Sequence, residues 1–320
     1  MSFTTTPYQK IQAPIHYSAT TTGRLFRPTL VLISSYLFDK TPSAKTTKSV
    51  IEAATAVELL HVATLCHDDL IDDAHTRRGM PTCNAKFGDS AAILIGDYFL
   101  ARSMQIAAFL GTHQTTLIAE TLSQLCLGQM LETVQIFDIT RSESDYLAAI
   151  SGKTAWLMRA CTAMGALQCG ADQATQDALA AFGHNLGMAF QIWDDILDLM
   201  DDGDSGKTVG KDLANGVYTL PVIYCLKELP DHLIRALSRP APSSDDVLET
   251  ISFVRNTDAI NRAIDVAQRH IADAISALRD TPCFEGRRMA VQQCLFDVVK
   301  RLAPRHPAVA AIYSSEGINR

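Results

Sequence analysis

The sequence has no stripe or run of Lys and Arg, and with a net charge of −7 and a pI near 5.7 this argues against a nucleic-acid partner. It has no Cys-x-x-Cys pair. The eight cysteines, Cys66, Cys83, Cys126, Cys161, Cys169, Cys225, Cys283 and Cys294, sit mostly in apolar segments and read as core thiols of a reducing, cytoplasmic compartment. The opening Met1-Ser2-Phe3-Thr4-Thr5-Thr6-Pro7 has neither a basic start nor an apolar core, so no secretory signal is expected. Every long apolar segment meets a charge within about eighteen residues, so no transmembrane helix is expected either. No window sustains two-residue alternation rich in Val, Ile and Thr, and there is neither a low-complexity tract nor a clear short-period repeat. These absences leave an all-α protein.

What is present is 320 residues, 47% hydrophobic and 20% charged, ample for a large core. Length alone allows two domains of ~150 residues. The motifs below have to meet, so a single domain over 1–320 is expected.

The run Val50 to Cys66 leaves almost no polar face and ends in His67-Asp68-Asp69-Leu70-Ile71-Asp72-Asp73. Carboxylates continuing a buried helix are costly unless they reach solvent or meet cations. Asp68 and Asp72, four apart, share one helical face, where like charges repel by ~0.2–0.5 kcal/mol in water and a divalent metal would turn repulsion into coordination. Taken alone, a solvated acidic helix end explains them equally well. A second apolar helical stretch, Phe182 to Met200, repeats the pattern with Asp194, Asp195 and Asp198. Two such helices would line a cavity with carboxylate at the mouth and hydrocarbon below, suited to a phosphate head and an apolar tail. Oxygen ligands without a His/Cys set favour Mg²⁺, which shares its sphere with water and substrate phosphates.

Helical periodicity predicts elements at about Tyr8–Tyr17, from Gly23-Arg24-Leu25-Phe26-Arg27-Pro28 through Leu37, and to about Ala74. Further segments follow at Ser90–Leu110, Gln114–Phe137, Ser144–Cys169, Gln173–Met200, Tyr218–Leu229, Asp245–Arg255, Asp258–Arg279 and Phe284–Leu302. Arg77-Arg78-Gly79-Met80-Pro81-Thr82 reads as a loop. Gly206-Lys207-Thr208 and Gly152-Lys153-Thr154 mimic the end of a P-loop, but Asp201 and Leu147 stand where its first Gly is required. Trp156 and Trp193 read as core.

Paired Asp-Asp-x-x-Asp motifs, the first followed by Arg77-Arg78-Gly79 and the second flanked by Phe190-Gln191 and Gly206-Lys207, resemble those of the trans-isoprenyl diphosphate synthases (polyprenyl synthetases). The resemblance spans about Tyr17 to Arg301. It implies a single large helical bundle around a deep central cavity, the isoprenoid synthase type I fold. It also implies a homodimer that condenses an allylic diphosphate with isopentenyl diphosphate. On the matching positions, Asp68 and Asp72 would hold two Mg²⁺ and Asp194 a third, with Asp69, Asp195 and Asp198 acting through water or neighbours. Lys153, Lys207 and Arg77 would grip the allylic diphosphate, with Thr154 and Gln191 near the reacting carbons. Arg24, Arg27, His61 and Arg78 would bind isopentenyl diphosphate. His61 lies two turns before Asp68 on the same face, where a lone His is more often a satisfied core residue.

Three features depart from the family pattern. Arg24 replaces a usual Lys, Val217 stands where a Lys is common, with Lys211 a possible substitute, and the segment before Gly23 is short. A catalytic subunit needing a second, non-catalytic subunit is an alternative, and a terpene cyclase is disfavoured by Arg24, Arg27 and Arg78. In short-product members, aromatic rings often occupy the positions of Ala63 and Thr64. These small residues imply a medium or long product, geranylgeranyl or longer, unless Phe99 or Met104 closes the channel further down.

Overall fold

Long apolar runs with few β-branched clusters and well-placed caps make helices throughout. The computed structural model describes residues 6, 8–20, 23, 25–38, 43–200 and 209–279. In chain order these form α1 (Gln9–Thr20), α2 (Phe26–Phe38), α3 (Ala44–Ile71), the strands β1 (Thr76–Arg77) and β2 (Met80–Pro81), α4 (Cys83–Phe87), α5 (Asp89–Leu110), α6 (Thr112–Val134) and α7 (Glu143–Ile150). A π-helical turn over Ser151–Ala155 leads into α8 (Trp156–Gln168), followed by α9 (Gln173–Met200), α10 (Lys211–Ala214), α11 (Leu220–Cys225), α12 (Asp231–Leu237), α13 (Ser244–Arg255) and α14 (Ala259–Arg279). The expected all-α class is found, and the expected helix at Phe284–Leu302 lies outside the described residues.

The chain divides into two compact units, Met1–Ser123 with Leu157–Ala180, and Gln124–Trp156 with Ala181–Arg320. In the first, α3 starts at Ser43, whose Oγ accepts from the Thr46 N–H at 3.1 Å. It buries Ala56, Leu59, Val62, Ala63 and Cys66 against Ala92, Ile95, Phe99 and Ile106 of α5 and Ile15 of α1. By length and composition α3 and α5 could each cross a membrane. α3 nevertheless packs on α2 and α5 as a core helix does. Cys66, Cys83 and Cys161 are buried in this unit as expected, whereas Cys126 of the second unit is exposed.

The second unit has two cores. One joins Tyr146, Ile150 and Ala155 to Met188, Ile192, Trp193 and Ile196 of α9 and to Ala263, Val266 and Ala267 of α14. The other gathers Leu199, Leu213, Tyr218, Val222, Leu233, Leu237, Val247, Ile251 and Val254. Trp193 is core as expected, while Trp156 is half-buried.

Two local features differ from the sequence reading. The loop after α3 is a tight hairpin whose central residues, Arg78 (φ 54) and Gly79 (φ 75), both take left-handed backbone, as a type I′ turn requires. The helix expected over Ser144–Cys169 is interrupted by the π turn, which carries Lys153 and Thr154. π turns recur at functional positions. This one lies on α6 with no room for side chains between: a Cβ on Gly152 would fall 2.7 Å from Gln124 O and from Gly128 Cα.

Gly152→Ala should therefore push the π turn off α6. We expect a loss of about 1–3 kcal/mol, the range of core overpacking, read as a lower denaturant midpoint. An unchanged midpoint would show that the two backbones are free to separate.

Candidate active site

In the first unit the acidic end of α3 meets one guanidinium, and a second group of basic residues lies further back along the helix. Asp72 caps the helix, its N–H bonding Asp68 O at 2.8 Å, and its side chain is exposed while Asp68 is half-buried. Asp69 is only 5% exposed, and its Oδ1 accepts from Arg77 Nε at 2.8 Å with Nη2 at 2.7 Å. The hairpin thus delivers Arg77 to Asp69. Two turns earlier, half-buried Arg27 donates from Nη1 to His61 Nε2 at 2.9 Å. A guanidinium has no acceptor, so Nε2 must carry the lone pair and Nδ1 the proton. Burial, then Arg27, Arg78 and Arg77, hold His61 well below the usual imidazole range. Glu58 shares this neighbourhood; burial raises its carboxyl while Arg27 and Arg78 pull it down. Arg78 packs against the Gly23 backbone, where a Cβ would collide with its guanidinium. The structure therefore brings Arg27, His61 and Arg78 together. Arg24 and Lys207 lie outside the described residues.

In the second unit α9 presents exposed Asp194 and half-buried Asp198, with Asp195 turned inward at 4% exposure. Both oxygens of Asp195 are occupied: Tyr146 OH donates to Oδ2 at 2.6 Å and Gln191 Nε2 to Oδ1 at 2.8 Å. Gln191 Oε1 in turn accepts from Thr154 Oγ1 at 2.7 Å. Lys153 pairs with Glu132. Asp212 donates its N–H to Asp198 Oδ2 at 3.3 Å. Burial, then Asp198 and Glu132, push its carboxyl up to about 7, against the pull of Lys153. Lys211, the possible substitute for a cation at Val217, is exposed.

A polyprenyl synthetase family model matches residues 8–254. The chain belongs to this family. It is 37% identical over 270 residues to nonaprenyl diphosphate synthase of Mycobacterium tuberculosis, covering 83% of this chain and 79% of that protein. It is 35% identical over 280 residues to heptaprenyl diphosphate synthase component 2 of Geobacillus stearothermophilus, covering 86% and 85%. A Caulobacter crescentus polyprenyl synthase, crystallised with calcium and isoprenyl diphosphate, superposes with a TM-score of 0.83 at 25% identity over 95% of this chain and 92% of that one. The polyprenyl synthetase described here is thus a prenyltransferase with the all-α isoprenoid synthase fold.

Among the described residues no three His, Cys, Asp or Glu side chains converge tightly enough to enclose an ion. Carboxylates offered two at a time suit Mg²⁺, which retains waters and completes its sphere with phosphate oxygens, better than a closed structural Zn²⁺ site. Asp198 and Glu132 both act on the Asp212 carboxyl to raise it, and a divalent cation there would offset that negative charge. The residues present fit such an ion.

Sequence reading missed Glu58, Glu132, Tyr146, Asp212 and the buried Arg141. Only Glu58 carried a local signal, a carboxylate one turn before His61 inside an apolar run. Ala63 is fully buried in the α3–α5 core, and the half-buried Thr64 donates from Oγ1 to His61 O at 2.8 Å.

His61 stays neutral in the fold but titrates near ~6.5 in the unfolded chain. The unfolded state therefore takes up the extra proton, and stability falls as pH drops below about 6.5 toward the depressed folded value. His61→Asn should lose less stability than wild type between pH 7.5 and 5.5 in denaturant unfolding. An equal or larger loss would exclude a buried neutral imidazole.

Proposed function

We propose that this polyprenyl synthetase repeatedly adds isopentenyl diphosphate to an allylic diphosphate, giving an all-trans polyprenyl diphosphate of geranylgeranyl length or longer, with Mg²⁺ as cofactor in three sites. The observation that carries the reading is that each unit sets cations at its own acidic motif: Arg77 on Asp69 in the first, with Arg27 and Arg78 around neutral His61 on the same helix, and Lys153 acting with Asp194 and Asp198 on Asp212 in the second. The nonaprenyl and heptaprenyl relatives support a long product, and the calcium and isoprenyl diphosphate of the Caulobacter crescentus enzyme support a divalent ion.

In this reading Asp68 and Asp72 hold two ions and Asp194 a third. Ions held there would supply the positive charge that offsets the diphosphate as it leaves the allylic carbon. Lys153 and Lys207 grip that diphosphate. Arg77 joins them from its place on Asp69, so its charge is fixed before substrate arrives. Thr154 holds the Gln191 amide at the reacting carbons, while Tyr146 keeps Asp195 from rotating outward. Arg24, Arg27 and Arg78 bind isopentenyl diphosphate, and His61, accepting from Arg27, sets the direction of that guanidinium. One catalytic domain in the cytoplasm is envisaged.

Association with a second copy is proposed through exposed apolar side chains. Ile93, Leu94 and Phe109, the last 82% exposed, lie on α5 of the first unit. The relative named as component 2 favours a second reading, a catalytic subunit that works with a different partner chain. Purified chain assayed alone with isopentenyl diphosphate, an allylic diphosphate and Mg²⁺ separates the two; activity without any partner retires the heteromeric reading.

Asp68→Ala and Asp194→Ala should each cut turnover by at least ~10²-fold, the scale of losing one preorganised charge-stabilising group, with the fold retained by circular dichroism. EDTA should abolish wild-type activity. Near-normal turnover in either variant, or in EDTA, would defeat the metal-assisted ionisation.

Ala63→Phe tests the chain-length assignment. A ring there should shorten the products and, because Ala63 sits in a packed core, lower stability by about 1–3 kcal/mol. Reduced stability with an unchanged product distribution would make Ala63 a packing residue only.

A further inference from the structure

The second unit buries an arginine that the function above leaves unused. Arg141, 3% exposed, ends a turn in which the Phe137 N–H bonds Gly216 O at 2.9 Å and the Arg141 N–H bonds Asp138 O at 3.2 Å. It is followed at once by the cap of α7, where Ser142 and Asp145 exchange backbone and side-chain hydrogen bonds. Its backbone is therefore fixed on both sides. Nη1 donates to Tyr218 O at 2.9 Å, while Nε and Nη2 are buried without a hydrogen-bond partner. A guanidinium cannot shed its proton, so its charge must be matched by the surroundings.

Those surroundings are the acidic cluster. The guanidinium carbon lies 5.6 Å from the centre of the Tyr146 ring, and Tyr146 OH donates to Asp195. Glu132, the partner of Lys153, and Asp195 and Asp145 are the carboxylates that act on Arg141. A cation over the ring withdraws electron density and makes the phenol a stronger donor. Breaking such a set by removing the cation alone would leave buried carboxylates without compensation.

We propose that Arg141 is the fixed counter-charge of the second unit's carboxylate cluster and, through Tyr146, a positioning residue for Asp195. This deepens the reading of Asp194 and its neighbours as a metal and diphosphate site, and rests on it. The role gives opposite signs for the two ligands. Removing a positive charge draws a divalent cation in more strongly and weakens hold on an anionic diphosphate; a purely structural residue would disturb both alike or neither.

The test uses the full-length enzyme. Mn²⁺ alone is titrated and the free ion followed by paramagnetic resonance, and KM for the allylic diphosphate is measured at saturating Mg²⁺. Arg141→Gln is expected to bind Mn²⁺ roughly three- to tenfold more tightly and to raise KM by a similar factor, as one charge does across several ångströms of protein. Arg141→Lys, which keeps the charge, should restore both to within about twofold. Any other pattern in Arg141→Gln overturns the proposal. If Arg141→Gln does not fold while Arg141→Lys folds and keeps Mn²⁺ binding and KM within about twofold of wild type, the charge is what the cluster needs and the role stands; failure of Arg141→Lys to fold makes Arg141 a packing residue and overturns it. Asp194→Ala with unchanged Mn²⁺ binding and turnover would overturn the site reading itself. An inactive Asp194→Ala beside an unchanged Arg141→Gln overturns the role of Arg141 alone.

Discussion

A carboxylate placed at the end of an apolar helix loses several kcal/mol of solvation unless a cation or strong donors replace the water, and much of this protein is arranged around that demand. The hairpin after α3 is bent through two left-handed residues, and it brings Arg77 onto Asp69. The π turn after α7 brings Lys153 to Glu132 and Thr154 to Gln191. The cap of α7 fixes the chain between buried Arg141 and Tyr146, the donor to Asp195. Each of these three pieces carries a side chain bonded to a carboxylate or to a residue that holds one. Regular helix alone would have carried these groups elsewhere, because each sits within five residues of the irregularity that aims it.

The same demand explains which parts of the site were legible in the sequence. The four-residue offsets of Asp68 with Asp72 and of Asp194 with Asp198 are properties of one helix, so spacing revealed them. His61 was visible for the same reason, two turns down α3. Tyr146 and Asp195 are 49 residues apart, and Arg141 and Tyr218 are 77 apart. Nothing in a single sequence marks such pairs, since Tyr and Arg near helix starts are ordinary surface residues. Glu132 was obscured by its place near the end of α6, among exposed apolar residues.

The fold was legible to a similar depth. α9 begins and ends where periodicity placed it, at Gln173 and Met200, and α5 and α13 each start one residue earlier than expected. The π turn was not foreseen because one extra residue in a turn shifts hydrophobic periodicity by less than the tolerance of the pattern. Only the pairing of Gly128 with Gly152, far apart in sequence, records it. α12 was missed because seven residues between Pro230 and Ser238 are too few for a periodic signal.

The two motifs also share a division of labour that follows from helix geometry. At about 100° per residue, the first and last Asp of Asp-Asp-x-x-Asp lie on one face, and the middle Asp is turned a quarter-circle away from the first. On a helix buried on most sides that quarter-turn points into protein. Asp69 and Asp195 are accordingly 5% and 4% exposed, while Asp72 and Asp194 are open to solvent. The inward carboxylate then needs internal donors, and each unit supplies a different set: a guanidinium with two N–H groups for Asp69, a phenol and an amide for Asp195. An inward acid locked in this way braces the helix end against rotation. The outward pair is thereby held at a fixed angle, which the function proposed above would use to present both carboxylates to one cation. The doubled Asp in each motif is thus two residues with two tasks, one anchoring the face that the other presents.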